Sequence, residues 1–140
     1  RVVKFPLTHI ECKRNFKYRD PFAHPSVMFR KSFFEKAGLY DINLKGINNW
    51  DDTGLWYNGF KNGCNFANIP NVVLEFRIND DFYSGRRNGV KRALAYTKFR
   101  YNVNLDLKNG FSSQMFLIPR FLLNVAPVFL KKIAYSIFRK

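Results

Sequence analysis

Asp51 and Asp52 are adjacent carboxylates at the head of a run in which Leu55, Trp56 and Phe60 fall on one helical face. A carboxylate placed there can do chemistry: within hydrogen-bond reach of a hydroxyl, it takes the proton as the oxygen attacks. Two such neighbours, partly desolvated, also raise each other's proton affinity. The same residues can instead cap the helix, because Asp is favoured at a helix start and its charge suits the positive end of the helix dipole. Residue types alone leave both open. The other candidate ligands exclude more than they suggest. Cys12 and Cys64 have neither Cys-x-x-Cys spacing nor a histidine at metal-ligand spacing, so no zinc site is expected. No Asp-x-Asp occurs; Asp51-Asp52 and Asp80-Asp81 are adjacent pairs, and neighbours on a strand point to opposite faces. No metal site complete within the chain is expected.

Elements must hold these residues in place. Thr8-His9-Ile10-Glu11 has capping-box spacing and starts a short helix of roughly 9–17, which Asp20-Pro21 breaks. Ser26 to Arg30 reads as a buried strand. Ser32-Phe33-Phe34-Glu35 is a second capping box, and Gly38 ends its helix in a left-handed conformation. A loop over 40–50 leads to the helix of roughly 51–62, which stops at Gly63. From Asn71 to Asn79 the chain alternates, with Val72, Leu74, Phe76 and Ile78 on one face and Val73, Glu75 and Arg77 on the other, the pattern of a half-buried strand. Residues 79–89 have loop composition. A long helix of roughly 86–108 precedes Gly110, and a last helical region of roughly 112–139 is interrupted by Pro119 and Pro127.

Charge is distributed unevenly. The formal total is +14, but residues 82–140 hold 12 of the 24 Lys and Arg with a single acid, Asp106. A basic half points to an anionic partner, whether a phosphate-bearing ligand, lipid headgroups or nucleic acid, unless it is only a solvated surface. With 46% hydrophobic residues and 16 Phe in 140, the chain is not disordered by composition and is large enough for one domain or a piece of one. It opens at Arg1 on a strand-like run with no signal-peptide pattern, which leads us to expect a piece of a longer protein. Two unpaired cysteines suit the reducing, cytoplasmic side of a membrane.

Three stretches in order carry a family resemblance. His24-Pro25-Ser26-Val27-Met28-Phe29-Arg30 is followed by Gly38-Leu39-Tyr40-Asp41. Trp50-Asp51-Asp52-Thr53-Gly54-Leu55-Trp56 comes next. Phe66-Ala67-Asn68-Ile69-Pro70 then leads into Val73-Leu74-Glu75-Phe76-Arg77. Together they resemble the second half of inverting family 2 glycosyltransferases with the GT-A fold, best over roughly residues 1–90. The resemblance implies an α/β fold, here the C-terminal part of a nucleotide-diphospho-sugar transferase, rich in helix with a small mixed sheet. It implies an acceptor-side half over 1–110 and an amphipathic, basic helical region over 111–140. The donor-binding half would lie elsewhere in the parent protein, and the chain alone would be inactive.

In that family the second acid of a Glu-Asp pair is the catalytic base, which matches Asp52, with Asp51 in place of the Glu. The resemblance puts Asp51, Trp50, Trp56 and His24 near the acceptor. Indole faces pack well on sugar C–H groups, but Trp56 suits a core equally, and His24 suits a structural hydrogen bond. Arg77, Arg86 and Arg87 would face the donor phosphates, the last two in a loop that closes as a lid or is simply solvated. A divalent metal, Mg or Mn, would be held by the other half. Gly54 stands where the family has a second Asp, and Ile78-Asn79 where it has a strand-end His; these departures bear on substrate choice.

The parent is thus expected to transfer a sugar from a nucleotide donor to a glycan or lipid-linked acceptor, as in cell-surface polysaccharide synthesis. The alternative is a non-catalytic basic module for a membrane surface or nucleic acid, although no nucleic-acid motif is present. Residues 116–130 are apolar but short of the roughly 20 a bilayer span needs. After Pro127, Leu130, Ile133, Ala134 and Ile137 share one helical face, with Lys131, Lys132, Ser136, Arg139 and Lys140 on the remainder. Such a helix lies on the inner face of a membrane as a peripheral anchor, packs on the other half, or pairs with a second chain in a dimer.

Overall fold

The computed structural model describes residues 2–40, 51–77 and 89–138, and for Asp51 and 135–138 the backbone alone. Its helices are α1 (His9–Phe16), α2 (Lys31–Ala37), α3 (Asp51–Lys61), α4 (Val90–Asp106), α5 (Phe111–Met115), α6 (Leu117–Val125) and α7 (Val128–Phe138), with a 3-10 turn at His24–Ser26. Two compact units divide at Leu74: Lys4–Leu74, and Glu75–Lys140 with Arg1–Val3. Among the described residues there is no strand.

In the first unit α1 begins on its capping box. The Glu11 N–H donates to Thr8 Oγ1 at 3.3 Å, while the Thr8 N–H and hydroxyl both donate to Glu11 Oε2, at 3.0 and 2.9 Å. The two bonds that Thr8 donates, with one from the Leu7 N–H, hold the Glu11 carboxyl below its ordinary pKa. The second capping box does not form. Arg30 caps α2 without a side-chain bond, and Ser32 lies inside the helix. Phe29 packs 5.0 Å from both Phe33 and Phe34, so aromatic contact rather than a hydroxyl holds that entry. Gly38, at φ 77°, does end α2, and Gly63, at φ 70°, follows α3.

Among the described residues neither expected strand forms, and the small mixed sheet is not seen. After the 3-10 turn the chain runs extended through Arg30 without a ladder, and Met28 is 97% exposed, so this is no buried strand. Residues 72–77 likewise form no ladder, and Val72, Val73 and Phe76 are all exposed. Alternation requires a face to bury only where a neighbouring strand supplies the sheet. The stretches at 41–50 and 78–88, including Ile78 and Asn79, lie outside the described residues.

What packs the first unit is aromatic. Phe22 lies 4.9 Å from Trp56 and 5.1 Å from Phe66, Phe60 lies 4.4 Å from Phe66, and Phe16 lies 4.9 Å from Phe60. Leu55, Trp56 and Phe60 bring the buried face of α3 to this cluster, as their spacing predicts. Gly59 makes the close approach possible: a Cβ there would meet Phe66 Cζ at 2.5 Å and Phe33 Cε2 at 2.8 Å. Gly59→Ala is therefore expected to lower stability by about 1–3 kcal/mol through overpacking, despite the better helix propensity of Ala. A urea midpoint equal to that of the parent would refute this.

Both cysteines are free and buried. Cys12 donates to the Pro6 carbonyl at 3.4 Å, and burial, with some help from Glu11, pushes its thiol up to about 11. A thiol with that pKa is almost wholly protonated at pH 8, and the thiolate is the nucleophile. Cys12 should therefore resist alkylation in the native protein and react once urea exposes it, which peptide mass mapping would show.

In the second unit α4 packs against α5 and α6. Its inward face is partly polar: Ala93, Tyr96, Arg100, Val103 and Asn104 are buried. Asn104 Nδ2 donates to the Ser113 carbonyl at 3.3 Å, Asn109 Nδ2 donates to Asn104 Oδ1 at 2.9 Å, and the Ser113 hydroxyl donates to the Gly110 carbonyl at 2.7 Å. These bonds tie the end of α4 to the start of α5. Arg120 lies over the Tyr96 ring at 5.0 Å. The break at Pro127 follows the pre-proline rule, with Ala126 extended at φ −63°, ψ 152°. Lys131, expected on a solvated face of α7, is buried instead, and that burial lowers its pKa.

Candidate functional site

The head of α3 carries the candidate base. Asp52 is half-buried, and its Oδ1 accepts a hydrogen bond from the Thr53 N–H at 2.8 Å. Thr53 is itself buried, and its hydroxyl donates to Asp20 Oδ2 at 2.8 Å. Asp20, half-buried, arrives from a position 33 residues earlier in the chain. The helix start therefore brings two described carboxylates around one threonine. A carboxylate fixed by a backbone N–H keeps its direction, which serves a cap and a positioned base alike.

Asp20 was missed as a site residue because Asp20-Pro21 has the form of a helix breaker. No short-range spacing marks its bond to Thr53. Asn68 anchors the same segment: its Nδ2 donates to the Pro21 carbonyl at 3.0 Å and to the Pro6 carbonyl at 2.6 Å. These bonds fix the backbone that carries Asp20.

A second group gathers at the 3-10 turn. His24 Nε2 is 2.8 Å from the Tyr40 hydroxyl, and its ring stands edge-on to Trp56 at 6.1 Å. His24 is exposed, so it makes a structural bond while still presenting its ring to solvent. Tyr40 belongs to the Gly-Leu-Tyr-Asp turn but was given no role in the site from sequence; the bond to His24 is the signal that assigns one.

Trp56 lies in the core of the first unit. It is 2% exposed, with Phe22 tilted against it and Phe29 stacked at 5.6 Å, so its faces are spent on the core. The burial of α3 beside Phe22 and Phe66 explains why: the residue one turn along from Asp52 points into the aromatic cluster. Arg77 is exposed and belongs to the second unit. Trp50, Arg86, Arg87 and the side chain of Asp51 lie outside the described residues. Among the described residues no three His, Cys, Asp or Glu side chains group as a metal site requires.

Comparison with known proteins places this geometry in context. No family model matches the chain, and no solved structure does. A UDP-Gal:alpha-D-GlcNAc-diphosphoundecaprenol beta-1,3-galactosyltransferase of Escherichia coli is 34% identical over 86 residues, covering 61% of this chain and 30% of that protein. The amylovoran biosynthesis glycosyltransferase AmsE of Erwinia amylovora is 28% identical over 144 residues, covering 100% of this chain and 51% of its own. An uncharacterized glycosyltransferase of Haemophilus influenzae is 29% identical over 121 residues, covering 86% and 43%. The chain spans about a third to a half of the length of these curated relatives, and what it resembles in all three is a glycosyltransferase.

Proposed function

We propose that this chain is the acceptor-side part of an inverting glycosyltransferase of family 2 with the GT-A fold. The parent protein transfers a sugar from a nucleotide donor to a glycan or lipid-linked acceptor in cell-surface polysaccharide synthesis. The observation that carries this is the half-buried Asp52 at the head of α3, in a chain similar along its whole length to a curated glycosyltransferase. In this reading Asp52 takes the proton from the acceptor hydroxyl as that oxygen bonds to the anomeric carbon. The bond from that carbon to the diphosphate breaks on the opposite side, and the nucleoside diphosphate leaves with the electron pair.

Asp20 and Thr53 act as positioning residues, holding the helix end from which Asp52 projects. His24 and Tyr40, with Asp51 and Trp50, are assigned to the acceptor side, and Arg77, Arg86 and Arg87 to the growing charge on the diphosphate. A divalent ion, which would neutralise part of that charge, is assigned to the rest of the full-length protein. The part made by this chain alone is expected to have no transfer activity.

The test is transfer by the full-length protein. Incubated with a panel of nucleotide sugars and an N-acetylglucosaminyl-diphosphoundecaprenol acceptor, or with a polysaccharide repeat-unit acceptor, it should release nucleoside diphosphate in step with product. Failure to form product with any donor on any of these acceptors would overturn the reading.

A further inference from the structure

The second unit exposes an apolar stripe that its own fold does not cover. Phe111, Met115, Ile118 and Leu122 are spaced i, i+4, i+7 and i+11, which places them within about 60° of one another on a helix of 3.6 residues per turn. They are 78%, 48%, 55% and 59% exposed. The stripe is continuous across the junction of α5 and α6. Phe116 keeps helical angles there, and helical bonds run from the Phe116 N–H to the Ser112 carbonyl and from the Arg120 N–H to the Phe116 carbonyl. On the opposite face Ser113 and Leu117 are buried, so the packed side of this helix is already used. Phe129 and Ile133, one turn apart on α7, are 62% and 51% exposed.

Charge identifies the occupant. From residue 107 to the end the sequence holds six Lys and Arg and no acid; of these Lys131 is buried and Arg120 lies over the Tyr96 ring, which leaves Lys108, Lys132, Arg139 and Lys140. A second copy of this face would set like charges against each other, whereas an anionic bilayer meets both properties at once. Its headgroups attract the cations, and its acyl boundary takes the phenylalanine and aliphatic side chains. Among the described residues no helix is long and apolar enough to cross a membrane, so the geometry is that of a helix lying in the interface. We propose that the face formed by Phe111, Met115, Ile118 and Leu122 docks on an anionic lipid surface. The inference rests on the second unit alone and stands whether or not the transferase reading does.

Flotation of the full-length protein with vesicles tests it. Phosphatidylcholine vesicles containing phosphatidylglycerol should carry at least about tenfold more protein than pure phosphatidylcholine at low salt, with the difference shrinking at high salt. The double variant Ile118→Glu/Leu122→Glu alters two exposed side chains and should abolish flotation while leaving the circular dichroism spectrum unchanged. Phe111→Ser, at the first residue of α5, provides a second variant and should reduce it. Equal flotation on both vesicle types would overturn the proposal, as would full flotation by the folded double variant. So would a protein that ignores lipid but changes its mass in light scattering when Ile118 and Leu122 are replaced, because the face is then covered by protein. None of these readings depends on sugar transfer, so failure here is distinguishable from failure of the proposed activity.

Discussion

Asp52→Asn in the full-length protein is expected to lower sugar transfer by about a hundred- to ten-thousand-fold, the range that general-base catalysis contributes. Asparagine makes this substitution informative. Its amide oxygen can accept the same bond from the Thr53 N–H that Asp52 Oδ1 accepts at 2.8 Å, and its size is nearly that of aspartate. The helix start, the Asp20–Thr53 bond and the core beneath should therefore remain, while the side chain can no longer accept a proton at neutral pH. The loss should appear in kcat, and in kcat/KM to the same degree, because proton transfer is made only in the transition state. An Asp52 that merely caps α3 would behave differently: the Asn variant would keep near parental transfer, since Asn caps a helix as well as Asp does. Near parental rates in a folded variant would thus remove Asp52 as base. A drop in rate accompanied by a lowered unfolding midpoint would need the circular dichroism spectrum to separate the two causes.

The helices were legible where local chemistry decides them. Thr8 and Glu11 are three residues apart and satisfy each other's backbone, so α1 could be placed from the residues alone. Leu55, Trp56 and Phe60 recur at helical spacing and are buried in α3. Pro127 forces Ala126 extended, and the chain breaks there as expected. Ser32 shows the limit. A capping pattern is permission rather than command, and contacts of Phe29 with Phe33 and Phe34 set the start of α2 earlier.

Strands were less legible because they depend on partners distant in sequence. Val72 to Phe76 alternates correctly, yet alternation records which faces differ and not whether another strand lies alongside. The candidate site divides in the same way. Asp52 could be singled out from its neighbours at a helix start. Asp20 could not, because its bond to Thr53 joins positions 33 apart and no periodicity spans them. Trp56 was ambiguous for a further reason: an indole suits a sugar face and a core equally, and only its burial against Phe22 and Phe29 decides between them.

That placement makes Trp56→Ala the largest expected loss of stability, about 3–5 kcal/mol, as for other buried large aromatics cut back to Ala. Trp56 is 2% exposed, and its ring contacts join the turn at Phe22, the extended segment at Phe29 and the helix α3. Removing it leaves a cavity that three separate segments would have to collapse to fill. Against a typical total of about 5–15 kcal/mol, that loss takes a large share of the folded state. Trp56→Phe should cost less. It keeps a ring in the cluster and removes the indole N–H, which is buried without a hydrogen-bond partner among the described residues. Urea unfolding of the three proteins, followed by circular dichroism, should rank them parent, Phe, Ala in falling midpoint. A sugar platform would give the opposite signature, with an Ala variant that unfolds like the parent and shows a raised acceptor KM. Such a result would place the indole face at the acceptor and overturn its assignment to the core.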